Sequence, residues 1–301
     1  MGRLTAIVLG SAAGGGFPQW NCRCPVCQLA WAGDTRVRAR TQASLAVSAD
    51  GENWALVNAS PDLPQQLRRT KALHPRAATR GTPIKAVLLT GAEIDQVAGL
   101  LSLREREPFM LCATATTLAT LAENSMFRAL ATDVVTRRAV ATGERLALPG
   151  GLSAEPFPVP GKMPLYLEGN DPQTAAETGA NVGWQLCAAS ASMVMIPGAA
   201  MLTPAIMERI ARADVVLFDG TLYRDDEMII SGTGSKTGRR MGHMSIGGSD
   251  GSLAALGGIS SRRIYLHINN TNPILVEGSP ERREVERRGW EVAEDGMEIA
   301  L

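Results

Sequence analysis

Histidine is scarce in this chain: 301 residues carry only His74, His243 and His267. An imidazole-rich metal centre therefore has very few candidates. Net charge is lacking too, with 30 basic residues against 30 acidic ones. Nothing electrostatic therefore points to nucleic acid or to a charged membrane surface. No apolar run approaches the ~20 residues of a membrane span. The apolar run after Arg3 is only about five residues long, below the length of a signal-peptide core. Five cysteines, an odd number with Cys112 and Cys187 isolated, argue against a disulfide framework and suit a reducing cytoplasm, the expected location. Nucleotide fingerprints are missing as well. Gly10 to Gly16 contains no G-x-G-x-x-G that opens a helix, and no G-K-[ST] follows it.

What is present starts with Asn21-Cys22-Arg23-Cys24-Pro25-Val26-Cys27, a C-x-C-x-x-C spacing close behind an apolar run and a glycine loop. Three thiols this close can converge on one tetrahedral zinc, with a fourth ligand from elsewhere in the chain. A closed sphere of that kind holds structure and does no chemistry.

Along the chain, residues 4–9 read as a buried strand, and 42–48 with 54–58 as a β-hairpin about Asp50-Gly51. Ser60 and Pro61 read as the N-cap and first residue of a helix running to about Leu73. Residues 84–90 form a strand apolar enough to be buried on both faces. It delivers Glu93 and Asp95 at the mouth of a helix, the usual place of an α/β active site. Residues 152–168 read as strand, loop and strand, and the polar stretch 169–181 as a mobile insertion. Two strands then end at Pro197-Gly198, and Thr203-Pro204 opens a helix. Residues 215–218 deliver Asp219, residues 264–266 deliver His267, and Met241-Gly242-His243 opens a further helix. No repeat, low-complexity tract or long linker interrupts the chain, so one domain over residues 1–301 is expected. Carboxylates and imidazole on the strand-end loops of a layered α/β core make a site for a hard or borderline divalent metal.

The Gly10–Gly16 loop leading into Pro18-Gln19-Trp20-Asn21-Cys22-Arg23-Cys24, together with Asn58-Ala59-Ser60-Pro61-Asp62, Phe218-Asp219-Gly220-Thr221, Met241-Gly242-His243 and His267-Ile268-Asn269-Asn270-Thr271-Asn272-Pro273, resembles the pyrroloquinoline quinone (PQQ) biosynthesis protein B family over essentially the whole chain. That resemblance implies the metallo-β-lactamase superfamily and its αββα sandwich, with a metal site at one edge of two facing sheets. The superfamily's H-x-H-x-D-H motif falls on Gly91 to Gln96. Asp95 is kept, while Gly91, Glu93 and Gln96 stand at the histidine positions. The superfamily's bridging aspartate falls near Pro197-Gly198-Ala199, where no ligand exists. A two-zinc hydrolase is therefore disfavoured. Asp95, Glu93 and His267 remain as ligands for one further metal, and a carboxylate-rich set favours iron(II), manganese or magnesium over zinc. Asp219 and His243 resemble the acid–histidine pair of tRNA-processing relatives, with His243 as proton donor or acceptor. The resemblance also places the fourth ligand of the cysteine zinc at Asn270, with His267 as competitor.

The family implies metal-dependent hydroxylation of the tyrosine ring in a glutamate–tyrosine precursor, with Asp95, His267, Glu93, His243 and Asp219 as the working set. A non-catalytic carrier of the quinone or its precursor is one rival, and a metal-dependent hydrolase is another. Expected partners are a small peptide or quinone precursor and other PQQ biosynthesis proteins, without nucleic acid or membrane, and a homodimer is the expected assembly. Lys162 and Arg240 stand near the loops, where they could pair with substrate carboxylates.

Overall fold

Alternation of apolar side chains decides the layers. In β1 (Thr5–Gly10), Ala6 and Val8 face one core while Ile7 and Leu9 face another. A strand buried on both faces needs a sheet on one side and helices on the other. The computed structural model describes residues 3–76, 79–169 and 174–301. Residues 170–173 of the polar stretch lie outside the described residues.

Six strands of the N-terminal half begin the first sheet: β1, β2 (Ser44–Ser48), β3 (Trp54–Val57), β4 (Ile84–Leu88), β5 (Phe109–Ala113) and β6 (Val135–Ala139). The second sheet holds β7 (Leu146–Ala147), β8 (Ser153–Pro158), β9 (Val182–Ala188), β10 (Ala191–Ile196), β11 (Val215–Asp219), β12 (Arg262–Leu266) and β13 (Trp290–Val292). The chain then crosses back, and β14 (Glu298–Ala300) pairs antiparallel with β1. The orders are β14-β1-β2-β3-β4-β5-β6 and β13-β12-β11-β10-β9-β8-β7. As expected, β2 and β3 form a hairpin, with Leu45 opposite Val57.

The sheets face one another across a core that includes Val8, Leu45, Leu88, Trp184, Leu217 and Leu266. Trp184 also ties the two sheets directly, its indole N–H donating to the Leu89 carbonyl at 3.0 Å. Outside the second sheet, Val216, Phe218 and Tyr265 pack under the helices Pro204–Arg212 and Pro280–Arg287. The first of these starts as the sequence indicates. Thr203 accepts from the Ile206 amide, proline follows, and Ile206 and Ile210 bury one face at i, i+4 spacing. Outside the first sheet, Leu63, Leu100 and Leu121 cover Leu9, Leu56 and Val87. Helices, sheet, sheet and helices make the αββα sandwich.

Three local expectations are corrected. The helix after β3 runs Leu63–Arg69 from Asp62, not from Ser60, and a separate 3-10 turn covers Lys71–Leu73. Pro64 supplies the proline of its first turn, and Ser60 is buried, donating to Gln66 Oε1 at 3.1 Å. The segment around Leu165–Leu167 is a 3-10 turn and not a strand. A short helix, Gly238–Met241, ends before His243, with Gly242 in the left-handed region at φ 84°. His243 therefore follows a helix terminus; it does not open a helix. No helix among the described residues is long and apolar enough to cross a membrane.

Candidate active site

The strand ends at one edge of the sandwich carry the chemistry. β4 ends in Leu88, and Thr90 beyond it is fixed by Asn58, which accepts from the Thr90 amide at 2.9 Å and donates to its hydroxyl at 2.9 Å. The loop then turns into the helix Ile94–Val97, which places Asp95 in its first turn. Gln96, at the position of the superfamily's last histidine, caps this turn by accepting from the Glu93 amide at 3.1 Å. A Cβ on Gly91 would lie 2.7 Å from Gln96 Oε1. Of the three departures from the histidine motif, those at Gly91 and Gln96 are thus sterically matched to each other.

Across the seam, β12 releases His267 at φ 59°, a left-handed conformation that a bulky residue keeps only when its surroundings fix it. Here they do. His267 Nε2 lies 2.9 Å from Asp95 Oδ2, and Nδ1 lies 2.8 Å from the Thr221 hydroxyl. That hydroxyl is 2.6 Å from Asp219 Oδ1 and 3.1 Å from His243 Nδ1. His243 Nδ1 is also 2.8 Å from Asp219 Oδ2, and the two imidazoles stack with centroids 5.4 Å apart.

Hydrogen counting assigns the network. A threonine hydroxyl has one proton, and the charged, shortest acceptor here is Asp219. Thr221 therefore donates to Asp219 and accepts from His267 Nδ1–H, while His243 Nδ1–H donates to the other Asp219 oxygen. With amides of Ala199 and Thr221 also donating at 2.9 and 3.0 Å, all four acceptor positions of the buried Asp219 carboxylate are filled. In this arrangement it orients imidazole, and Asp219, His243 and His267 lie within ligand distance of one another.

The consequence for His267 is that Nε2 carries a lone pair when the ring is neutral. It then points at another electron-pair donor, Asp95. A proton between them, making an imidazolium–carboxylate pair, or a metal ion relieves that arrangement. Burial opposes both charges, but the pairing outweighs it, holding Asp95 below its ordinary carboxyl range and raising His267. Asp219 is likewise lowered, since His243 more than offsets its burial. Asp95 and His267 fit a divalent ion through one hard oxygen and one imidazole, leaving most coordination positions open. Glu93 does not join them. Its carboxylate is drawn to Lys162 Nζ at 3.1 Å and to the Leu165 amide at 3.1 Å. All these groups except Asp219 line one cavity of about 460 Å3.

Thr221 is the residue that reading the sequence missed. The Asp219-Gly220-Thr221 turn was visible, but Thr221 acquires its position only from partners 22 and 46 residues away. Thr221→Val, equal in shape but without the hydroxyl, is expected to lower kcat by roughly tenfold or more through loss of ligand orientation. Steady-state kinetics beside an unchanged melting temperature checks this.

The cysteines form a second cluster. Cys22, Cys24 and Cys27 are buried, with sulfurs mutually within ligand distance. Cys24 caps the helix Pro25–Trp31. Asn270 stands over all three, its Nδ2 lying 3.1, 3.8 and 3.4 Å from the sulfurs of Cys22, Cys24 and Cys27. Amide O and N are nearly isosteric, so turning the Asn270 amide over presents Oδ1 to a cation among the sulfurs. Burial pushes the Cys24 thiol up to about 12 and raises Cys27 as well, so thiolates here require a cation partner. A zinc ion fits that donor set. His267, the competing fourth ligand, is engaged with Asp95 and Thr221 instead. His74 is exposed beside the Arg68 carbonyl and belongs to neither cluster.

Known proteins match this arrangement. A family model described as "Beta-lactamase superfamily domain" matches residues 53–268. Coenzyme PQQ synthesis protein B of Methylobacterium nodulans is 54% identical over 299 residues, covering 99% of this chain and 100% of that protein. The crystal structure of Zn(2+)-bound PqqB from Methylobacterium extorquens superimposes with a TM-score of 0.97 at 52% identity, covering 99% of this chain and 100% of that one. A diphosphatase of the PhnP family, at 20% identity and a TM-score of 0.70 over 99% and 97% of the two chains, shares the fold. The chain belongs to the coenzyme PQQ synthesis protein B family, within the metallo-β-lactamase superfamily.

Proposed function

We propose that this protein acts in PQQ biosynthesis as a metal-dependent hydroxylase of the tyrosine ring in a glutamate–tyrosine-derived precursor. The observation that carries the reading is the Asp95–His267 pair, a carboxylate oxygen and an imidazole nitrogen 2.9 Å apart on a cavity wall. A hydrolase of the two-metal kind needs more ligands than this wall provides, with Gly91 and Gln96 at histidine positions and no ligand in Pro197-Gly198-Ala199. An iron(II) ion held by Asp95 and His267 would supply redox chemistry with dioxygen. Thr221 and Asp219 keep the rings of His267 and His243 oriented, and His243, whose Nδ1 is committed to Asp219, exchanges protons through Nε2. Zinc at Cys22, Cys24, Cys27 and Asn270 holds structure apart from the reaction.

The test uses the full chain, loaded with iron(II), with a glutamate–tyrosine precursor, dioxygen and an external two-electron reductant such as ascorbate. One oxygen atom enters the ring and the other leaves as water. Oxygen uptake with matching mass gain supports the reading. Iron-loaded protein that binds precursor and consumes no oxygen overturns it in favour of a carrier.

A further inference from the structure

Beside the cavity a carboxylate is held by three cations. Glu168, its side chain only 5% exposed, accepts from Lys162 Nζ at 3.3 Å, from Lys236 Nζ at 3.4 Å and from the Arg240 guanidinium. These cations come from separate places. Lys162 follows β8, whereas Lys236 and Arg240 belong to the segment that leads through Gly242 to His243. Their grouping, Arg240 foremost, holds the Glu168 carboxyl down to about 2.

The segment carrying Glu168 has little else to keep it down. Leu165, Tyr166 and Leu167 are 56%, 44% and 42% exposed. Its other anchors are polar: the Leu165 amide on Glu93, and the Tyr166 hydroxyl donating to the Ala92 carbonyl at 2.7 Å. Apolar burial cannot account for its position, so polar and ionic contacts do. Lys162 and Lys236 also line the same cavity as Asp95, His243 and His267. An internal carboxylate locked onto cations that face a reaction cavity has the form of an occupied anion site.

We propose that Lys162 and Lys236 form a carboxylate-binding subsite for the molecule that enters the cavity, with Glu168 as an internal stand-in whose place the ligand's carboxylate takes. The proposal rests on the reading of this cavity as the site for a glutamate-bearing precursor, and it names the group by which that precursor is held. A cation suits such an exchange, because a lysine ammonium is a point charge that accepts one carboxylate for another. Arg240 is not in the cavity lining and remains as the partner for the displaced Glu168.

The probes are L-glutamyl-L-tyrosine and its counterpart with both carboxylates amidated, titrated calorimetrically into the full chain without turnover. Glu168→Gln removes the competing charge and is expected to tighten dicarboxylate binding about tenfold, while Lys236→Gln weakens it about tenfold and Lys236→Arg preserves it. The amidated probe binds weakly and equally to all variants. Two outcomes overturn the subsite: an amidated probe that binds as tightly as the dicarboxylate, or affinities that do not differ between Lys236→Gln and Lys236→Arg. The Lys236 pair decides the matter even where Glu168→Gln lowers the melting temperature, since that lysine is 40% exposed. Binding that follows this pattern without oxygen consumption leaves the subsite standing and removes the hydroxylase reading. Oxygen consumption with binding indifferent to these changes does the reverse.

Discussion

His267→Ala is expected to strip the metal from the cavity and to cut hydroxylation by roughly a hundredfold or more, beyond what loss of an orienting neighbour costs. With so few protein ligands, removal of the imidazole leaves Asp95 alone. Metal content by elemental analysis, with zinc at the cysteines as the internal reference, separates the two sites. The same pair sets a pH dependence. Without metal, the position between Nε2 and Oδ2 belongs to a proton, because the carboxylates around His267 raise its affinity for one. Metal must displace that proton, so loading improves as pH rises and weakens by about tenfold per unit below the raised pKa of His267. Iron(II) titrations under anaerobic conditions across that range, with proton release followed by a pH indicator, check the sign. Affinity independent of pH would show that the metal lies elsewhere.

Cys24→Ser is expected to lose the zinc and to lower the melting temperature by on the order of 10 °C, with a smaller effect on chemistry at low temperature. The substitution is well controlled. Cys24 sits at the N-cap of the helix Pro25–Trp31, where its sulfur accepts from the Cys27 amide at 3.5 Å. Serine is itself a strong N-cap, so the helix start is preserved and only the thiolate is removed. The cluster joins residues 22–27 to Asn270, and Asn270 stands three positions beyond His267. Zinc content and thermal melting, compared with Cys112→Ser as a buried cysteine outside the cluster, provide the measurement. A Cys24→Ser protein with a full zinc complement would end the structural-zinc reading.

Strands buried on both faces were legible as short unbroken apolar runs: Val215 and Leu217 go to one core, Val216 and Phe218 to the other. The cysteine cluster was legible because thiols close in sequence can be close in space, as Cys22, Cys24 and Cys27 are. Resemblance, and not periodicity, supplied the αββα arrangement. Position 243 was misread although the signal was there, because a glycine directly before it is the usual mark of a helix end. Glu93 could not be judged from its neighbours in sequence. Lys162, 69 residues on, turns it away from Asp95. Thr221 was invisible for the same reason, as one hydroxyl among many until two histidines and an aspartate converge on it. Local pattern decides elements, and long-range pairing decides which side chains do chemistry.

That pairing also has a schedule. β1 is made first among the strands, yet it lies between β2 and β14. The loop after it waits for Asp295, whose carboxylate accepts from the Ser11 amide and hydroxyl and from the Thr41 amide and hydroxyl. Ser11 and Asp295 are 284 residues apart. At ~5–20 residues per second, a ribosome takes roughly 15–60 s to bridge that interval. Throughout it, one flank of β1 is an open strand edge, and the three cysteines have emerged without Asn270. The nascent chain therefore passes through an interval in which its first strand has an open flank and its three clustered thiols lack the neighbour that closes over them in the folded protein.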